Sequence, residues 1–228
     1  VLYFGFTGAY SFLLPFGGLV GAFVAVITIF ILAGKNSSTL TLILSGVAIN
    51  AFAASMTSLF LNLAPSPYAA LEIIFWILGS IADRDFGDIL LALPLIFGGW
   101  ILLLGVGKGL DALTLGEDIA KSLGINIKLL KIKIILSTAL SVGATVSITG
   151  GISFVGLIVP HLIRPLVKHE PSKILFPSAI GGAIIVLLSD ILVRLIPTNI
   201  ELKLGVITAI IGAPFFLYLI LYNKRNLH

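Results

Sequence analysis

Charge is confined to a few short stretches of this 228-residue chain, and the intervals between them are long and apolar. No Asp, Glu, Lys or Arg occurs from Val1 to Gly34, Asn36 to Leu71, Ile89 to Gly107, Ile134 to Ile163, or Leu204 to Asn223. A bilayer core of about 30 Å is crossed by about 20 apolar residues in helical form, so each interval holds one span or more. Charged residues are 11% of the chain, where a soluble domain carries about 25%. Lipid offers no hydrogen-bond partner to a free amide or carbonyl, so such spans must satisfy their backbone internally. The fold class that follows is all-α: a polytopic transmembrane helical bundle.

Proline and glycine punctuate the intervals. Pro15 and its neighbouring glycines separate a stub (about 1–9) from a first full span at about 12–33. Further spans are expected at about 40–62, 88–107, 129–149, 152–167, 174–196 and 203–222, seven in all. The chain opens inside apolar sequence, so an N-terminal portion is expected to precede it. Residues 1–228 are expected to form one transmembrane domain containing a cytoplasmic loop at 108–128.

Alternating the loops across the membrane sorts the basic residues. One side collects Lys35, Lys108, Lys121, Lys128, Lys131, Lys133, Arg164, Lys168, Lys173, Lys224 and Arg225; the other holds Arg84, Arg194 and Lys203. The positive-inside rule places the 108–128 loop, the 168–173 loop and the C-terminus in the cytoplasm. The 63–87 loop and the 197–202 turn then face outward. Because the basic residues sit at span ends rather than on one face, the net charge of +4 is no nucleic-acid signature. No cysteine is present, so disulfides and thiolate metal sites are excluded.

Several local patterns bear on function. Gly17 and Gly21 form a small-xxx-small pair, and Gly181-Gly182 stand in the sixth span; both permit close helix approach. Leu115 to Leu123 reads as a short cytoplasmic helix, with Glu117 and Asp118 at its positive end and Gly124 as its stop. It serves either as a solvated connector or as a docking element. GVGKG at 105–109 fails as a phosphate loop, because Leu102 stands where the first glycine is required and no hydroxyl residue follows Lys108. His161 and Arg164 share a helix face, but Arg164 repels a proton or cation on the histidine, which favours a structural role. Asp190 and Arg194 are spaced i, i+4 with the acid first, the favourable order for a helical ion pair. In the 65–88 loop the apolar piece at about 69–81 is too short to span and is expected to lie at the interface, with Trp76 in its aromatic belt.

The segments GGISFVGLIVPHLIR, LLSDILVR, ELKLGVITAIIGAPFFLYLIL, LTLGEDIAKSLGI and LILSGVAI resemble, in order, the motifs of the FecCD family. Its members are membrane subunits of type II ABC importers for iron–siderophore complexes, haem and cobalamin. The resemblance covers essentially the whole chain. It implies a ten-helix permease in the cytoplasmic membrane of a prokaryote, with about three spans before Val1. It also implies a homodimer, two cytoplasmic ATPase subunits that hold the ATP and magnesium, and an extracytoplasmic substrate-binding protein.

By the same resemblance, Gly116, Glu117, Ala120 and Gly124 should face the ATPase. Arg194 should dock the binding protein, with Arg84 and Lys203 beside it on the outer side. Ser38 and Thr39 should narrow the cytoplasmic end of the pathway, and Asn50, Ser55 and Thr208 should line it. Gly156, Pro160, His161, Arg164, Asp190, Gly212 and Pro214 belong to the structural motifs. Lys203 stands where the family usually has proline, and Pro171-Ser172-Lys173 replaces an acidic-histidine-basic run.

Two other classes compete with an ATP-driven permease. An ion-driven secondary transporter needs acids converging at mid-depth, for which Asp190 is the one candidate. An intramembrane enzyme needs paired polar catalytic groups at one depth, and the sequence presents none. The expectation is therefore a transport subunit, not an enzyme, with no cofactor of its own.

Overall fold

The structure, a computed structural model, describes residues 13–34, 39–82, 84–167, 170–197 and 202–225. Among them lie ten α-helices: α1 (Leu13–Ala33), α2 (Thr39–Asn62), α3 (Pro67–Leu78), α4 (Phe86–Leu103), α5 (Val106–Leu113), α6 (Glu117–Ser122), α7 (Ile127–Thr149), α8 (Val155–Ile163), α9 (Pro171–Leu195) and α10 (Leu204–Arg225). A 3-10 turn, Arg164–Val167, follows α8. Five helices are long and apolar enough to cross a membrane: Pro15–Leu32, Leu40–Asn62, Phe86–Leu103, Ile127–Thr149 and Pro171–Leu195. The chain is thus a multi-pass, all-helical membrane protein. The apolar stretch of α10 described here is Leu204–Leu219.

Local chemistry sets several boundaries. Ser66 caps α3, its Oγ accepting from the Ala69 N–H at 3.2 Å, and Pro67 follows as the first helical residue. Asp85 and Asp88 form a reciprocal box at the start of α4, each carboxylate accepting from the other's backbone N–H at 3.0 and 3.4 Å. The expected span 88–107 ends early, at Leu103, because the chain turns at Gly105 and starts α5. The expected span 152–167 is a nine-residue α-helix extended by the 3-10 turn. Together these reach about 20 Å, short of the roughly 30 Å core.

The chain divides into two compact units. One holds α1, α2, nearly all of α3 and α4, and residues 134–148 of α7. Here α7 is the centre. A Cβ on Gly18 would meet Ser147 Cβ at 2.7 Å, and one on Gly143 would meet Ala22 Cβ at 2.7 Å. This close approach uses Gly18 and Ala22, each one residue on from the expected pair; Gly21 faces open space. One residue is a rotation of about 100° on a helix. On another side of α7, Ala92, Ala144 and Ile148 form a buried cluster with Leu19, Leu95 and Ile96 against it. Gly99 of α4 lies against Ser141 Oγ and the Ser137 carbonyl.

The other unit holds residues 78–82, α5, α6, the first residues of α7, α8, α9 and α10. Gly181 packs on Val159 and Ile163, and Gly182 on Val155, so the expected glycine pair does admit a neighbour, α8, running antiparallel to α9.

Candidate functional site

Between α4 and α7 the chain folds into two short helices joined by residues whose backbone geometry is specified locally. Val106, Gly109 and Ala112 are the buried face of α5. Leu130 of α7 lies against Gly109, its Cδ1 at 2.8 Å from where a Cβ would stand. Opposite this face, the Asp111 carboxylate accepts the Ser172 N–H at 2.9 Å. That amide is in the first turn of α9, where intrahelical acceptors are lacking and Pro171 supplies no donor of its own, so α5 caps α9 from outside. Hydrogen bonds from the Ser172 hydroxyl and then its N–H, with Lys173 nearby, hold the Asp111 carboxyl below its ordinary value of 3.8 against the opposing effect of burial.

Helix α6 is only six residues long, too short to persist by propensity alone. Its end is closed by a double hydrogen bond: Gly124 N–H donates to the Lys121 carbonyl at 2.9 Å and Ile125 N–H to the Ala120 carbonyl at 3.0 Å. This Schellman arrangement needs a left-handed residue, and Gly124 supplies it with φ 81°. Two residues on, Asn126 caps α7, its Oδ1 accepting from Leu129 N–H at 3.0 Å. The cluster Ala112, Ala120 and Ile127, with Leu113 and Ile125, seats α6 on α5 and α7.

The four residues expected to face an ATPase thus part company. Gly116 (the N-cap of α6) and Gly124 are exposed, whereas Ala120 is 0% exposed and lies under the helix, not on its outer face. The exposed aliphatic side chains here are Ile119 on α6, Leu123 at its C-cap and Leu115 just before its N-cap. Glu117 is neither buried nor fully turned outward: its Oε1 accepts from Lys131 Nζ at 2.9 Å.

At the far end of the same unit, three chain segments meet backbone to backbone. Ser80 N–H donates to the Thr149 carbonyl at 2.8 Å, and Gly205 N–H to the Gly79 carbonyl at 3.3 Å. A Cβ on Gly205 would collide with the Leu78 and Gly151 carbonyls, and one on Gly79 with the Gly151 carbonyl. Glycine is the one residue that admits this approach. Thr208, expected to line a pathway, is 2% exposed, and its hydroxyl bonds the Gly205 carbonyl at 3.1 Å. It packs inside this unit.

Beside this junction Phe154 has φ 67°, in the left-handed region that bulky residues avoid. Its side chain lies on Gly212 of α10, which has no Cβ to obstruct it. Sequence reasoning named Gly212 but not Phe154, since nothing in the type or spacing of a phenylalanine signals such a backbone. Arg194 Nε donates to Asp190 Oδ2 at 2.8 Å, the pair the spacing implies. Arg194 remains exposed beyond this contact and Lys203 is half-buried; Arg84 is exposed in the other unit.

Asn50 is exposed on α2, as is Ser55, whose hydroxyl is turned back to the Ala51 carbonyl at 2.9 Å. Thr39 opens α2, and Ser38 lies outside the described residues. Pro160 lies inside α8 and frees the Gly156 carbonyl from its usual partner; Gly156 is exposed with open space where a Cβ would stand. His161 is half-buried in the last turn of α8, and Arg164 is its exposed C-cap. Pro214 is an exposed interior residue of α10. Among the described residues no group of three or more His, Cys, Asp or Glu side chains is placed to hold a metal ion.

Comparison with known proteins adds to this geometry. The model of the FecCD transport family matches residues 1–222. An uncharacterized ABC transporter permease protein, YvrB of Bacillus subtilis, is 37% identical over 86% of this chain and 55% of its own length. The hemin transport system permease HmuU of Yersinia pestis is 32% identical over 92% of this chain and 63% of its own. A solved metal-chelate-type ABC transporter in an inward-facing conformation superposes with a TM-score of 0.74 and 31% identity, covering 91% of this chain and 64% of that one. The chain therefore spans between about half and two thirds of the length of these relatives. With its family motifs in order and nearly every residue inside the family match, the chain belongs to the FecCD transport family.

Proposed function

We propose that this chain forms part of the permease of an ATP-driven importer for a metal chelate of the iron–siderophore, haem or cobalamin class. It lies in the inner membrane of a prokaryote with the 108–128 loop and the C-terminus in the cytoplasm. The observation that carries this reading is the apolar stripe of Leu115, Ile119 and Leu123, exposed aliphatic side chains on and immediately beside α6. It sits outside the long spans, on a helix locked in place by a Schellman stop and a buried alanine. A solvated connector gains nothing from three exposed aliphatic side chains so close together; a docking element does. Gly116 and Gly124 bound α6 and leave room for a partner surface.

The complete assembly comprises two permease copies, two ATPase subunits holding ATP and magnesium, and a substrate-binding protein met by Arg194, Arg84 and Lys203. The chain crosses seven times. The fifth crossing combines α8, its 3-10 turn and the irregular residues before α8, whose backbone is shielded by the Gly79–Gly205 junction. Asn50 and Ser55 on α2, with Ser38 and Thr39 at its start, belong to the pathway. ATP-driven closure of the ATPases presses on α6 and switches the cavity between outward and inward access. The permease performs no chemistry on its cargo.

The ion-driven alternative gains no support from Asp190, whose carboxylate is held by Arg194. Uptake by full-length permease, reconstituted with its ATPase, should follow ATP and persist when the proton gradient is collapsed. Uptake that follows the gradient and ignores ATP would reject the proposal.

A further inference from the structure

Glu117 stands in the stretch proposed to meet the ATPase, yet its carboxylate is engaged within the chain, 2.9 Å from Lys131 Nζ. We infer that Lys131 and Glu117 form an internal strut that makes α6 and the first turns of α7 move as one body. Both are positioning residues, and the partner surface is read by the apolar stripe. The inference rests on the proposed coupling role of α6.

Three features argue for it. First, α6 has one inward residue, Ala120, whose single methyl holds the helix down without fixing its rotation. A directional contact at the opposite end from the Gly124 stop is needed for that, and Glu117, the first residue of α6, supplies it. Second, this pair is unlike its neighbour. The Lys121 and Asp118 side chains are 60% and 98% exposed, so solvent screens them; those of Lys131 and Glu117 are 19% and 45% exposed. Third, Lys131 projects from the face of α7 that carries Ile127 and Leu130, which pack toward α6 and α5 respectively. One face of α7 is thus tied to both short helices, by apolar contacts and by one charge pair. From there α7 continues unbroken to Thr149, so a displacement of α6 is delivered along a continuous helix.

A charge exchange tests the strut in full-length permease assembled with its ATPase and binding protein in proteoliposomes. E117K and K131E should each lower uptake per ATP hydrolysed about fivefold or more. The double variant E117K/K131E should regain most of it. A double variant as defective as E117K alone, or K131M with normal coupling, overturns the strut and returns Glu117 to direct contact with the partner. Spin labels at K121C and K128C give a readout that needs no transport. Their distance distribution should be narrow in the parent, broader in E117Q and K131M, and narrow again in the exchanged pair; equal widths throughout overturn the inference. Failure of ATP-driven uptake in the parent would instead reject the proposed function, while the label distances would still decide whether the strut exists.

Discussion

The two ends of the α8–α10 unit are held together by opposite means. At one, carbonyl meets glycine: Gly79, Gly151 and Gly205 bring three backbone segments into contact with no side chain between them. At the other, side chains reach across: Asp111 to the Ser172 N–H and Glu117 to Lys131. Two glycines occur at this end as well, Gly107 and Gly109, but they face side-chain carbons of Ser172 and Leu130 rather than carbonyls alone. Backbone contact leaves no side chain to remove, whereas each side-chain tie can be cut singly by substitution. Under the proposed function the second end receives the stroke and passes it on as one tied body, while the first anchors the unit.

The hardest blow to this contrast is a methyl at the rigid end. Gly205→Ala places a carbon on the Leu78 and Gly151 carbonyls and should cost about 3 kcal/mol, with loss of folded protein in detergent. Unchanged thermal stability would mean the junction is loose. At the end tied by side chains, Glu117→Lys should reduce coupling strongly while lowering stability by less than about 1 kcal/mol, since the pair is part exposed. ATPase activity, uptake and melting temperature, measured on one sample, separate the two effects.

Asp111→Asn should lower stability by about 1 kcal/mol at neutral pH. The carboxyl titrates below its ordinary 3.8 in the folded chain, so its contribution is complete above that value and is lost as pH falls through the lowered one. Unfolding midpoints should therefore not differ in their pH dependence between parent and variant from pH 5 to 8, and should converge only in stronger acid. The smallest structural effect belongs to Arg194→Glu: within about 0.5 kcal/mol of parent stability, because its guanidinium is largely exposed, but with weaker capture of the binding protein. Equal affinity in a pull-down titration would leave Arg194 with a structural role, bonded to Asp190.

Much of the fold was legible because each signal was local. Long apolar stretches marked the five long spans, and Gly124 marked where α6 stops. The i, i+4 acid-first spacing of Asp190 and Arg194 foretold their bond. The site was less legible. α5 was hidden because eight residues continuous with a span's apolar run carry no separate start signal. Ala120 and Thr208 were assigned to outward roles, yet both are buried, since position within a motif does not say which side of a helix its neighbours cover. Lys131 counted only as one positive charge among many.

Membrane residence and helical class follow from the sequence itself, because lipid penalises every unsatisfied backbone group and every charge regardless of what packs nearby. The tertiary structure alone decided which small residues touch, that Phe154 takes a left-handed backbone over Gly212, and that Glu117 turns to a lysine fourteen positions away. Those contacts join residues far apart along the chain. Their partners are set by how helices rotate against one another, a quantity that periodicity leaves free by about one residue, or 100°.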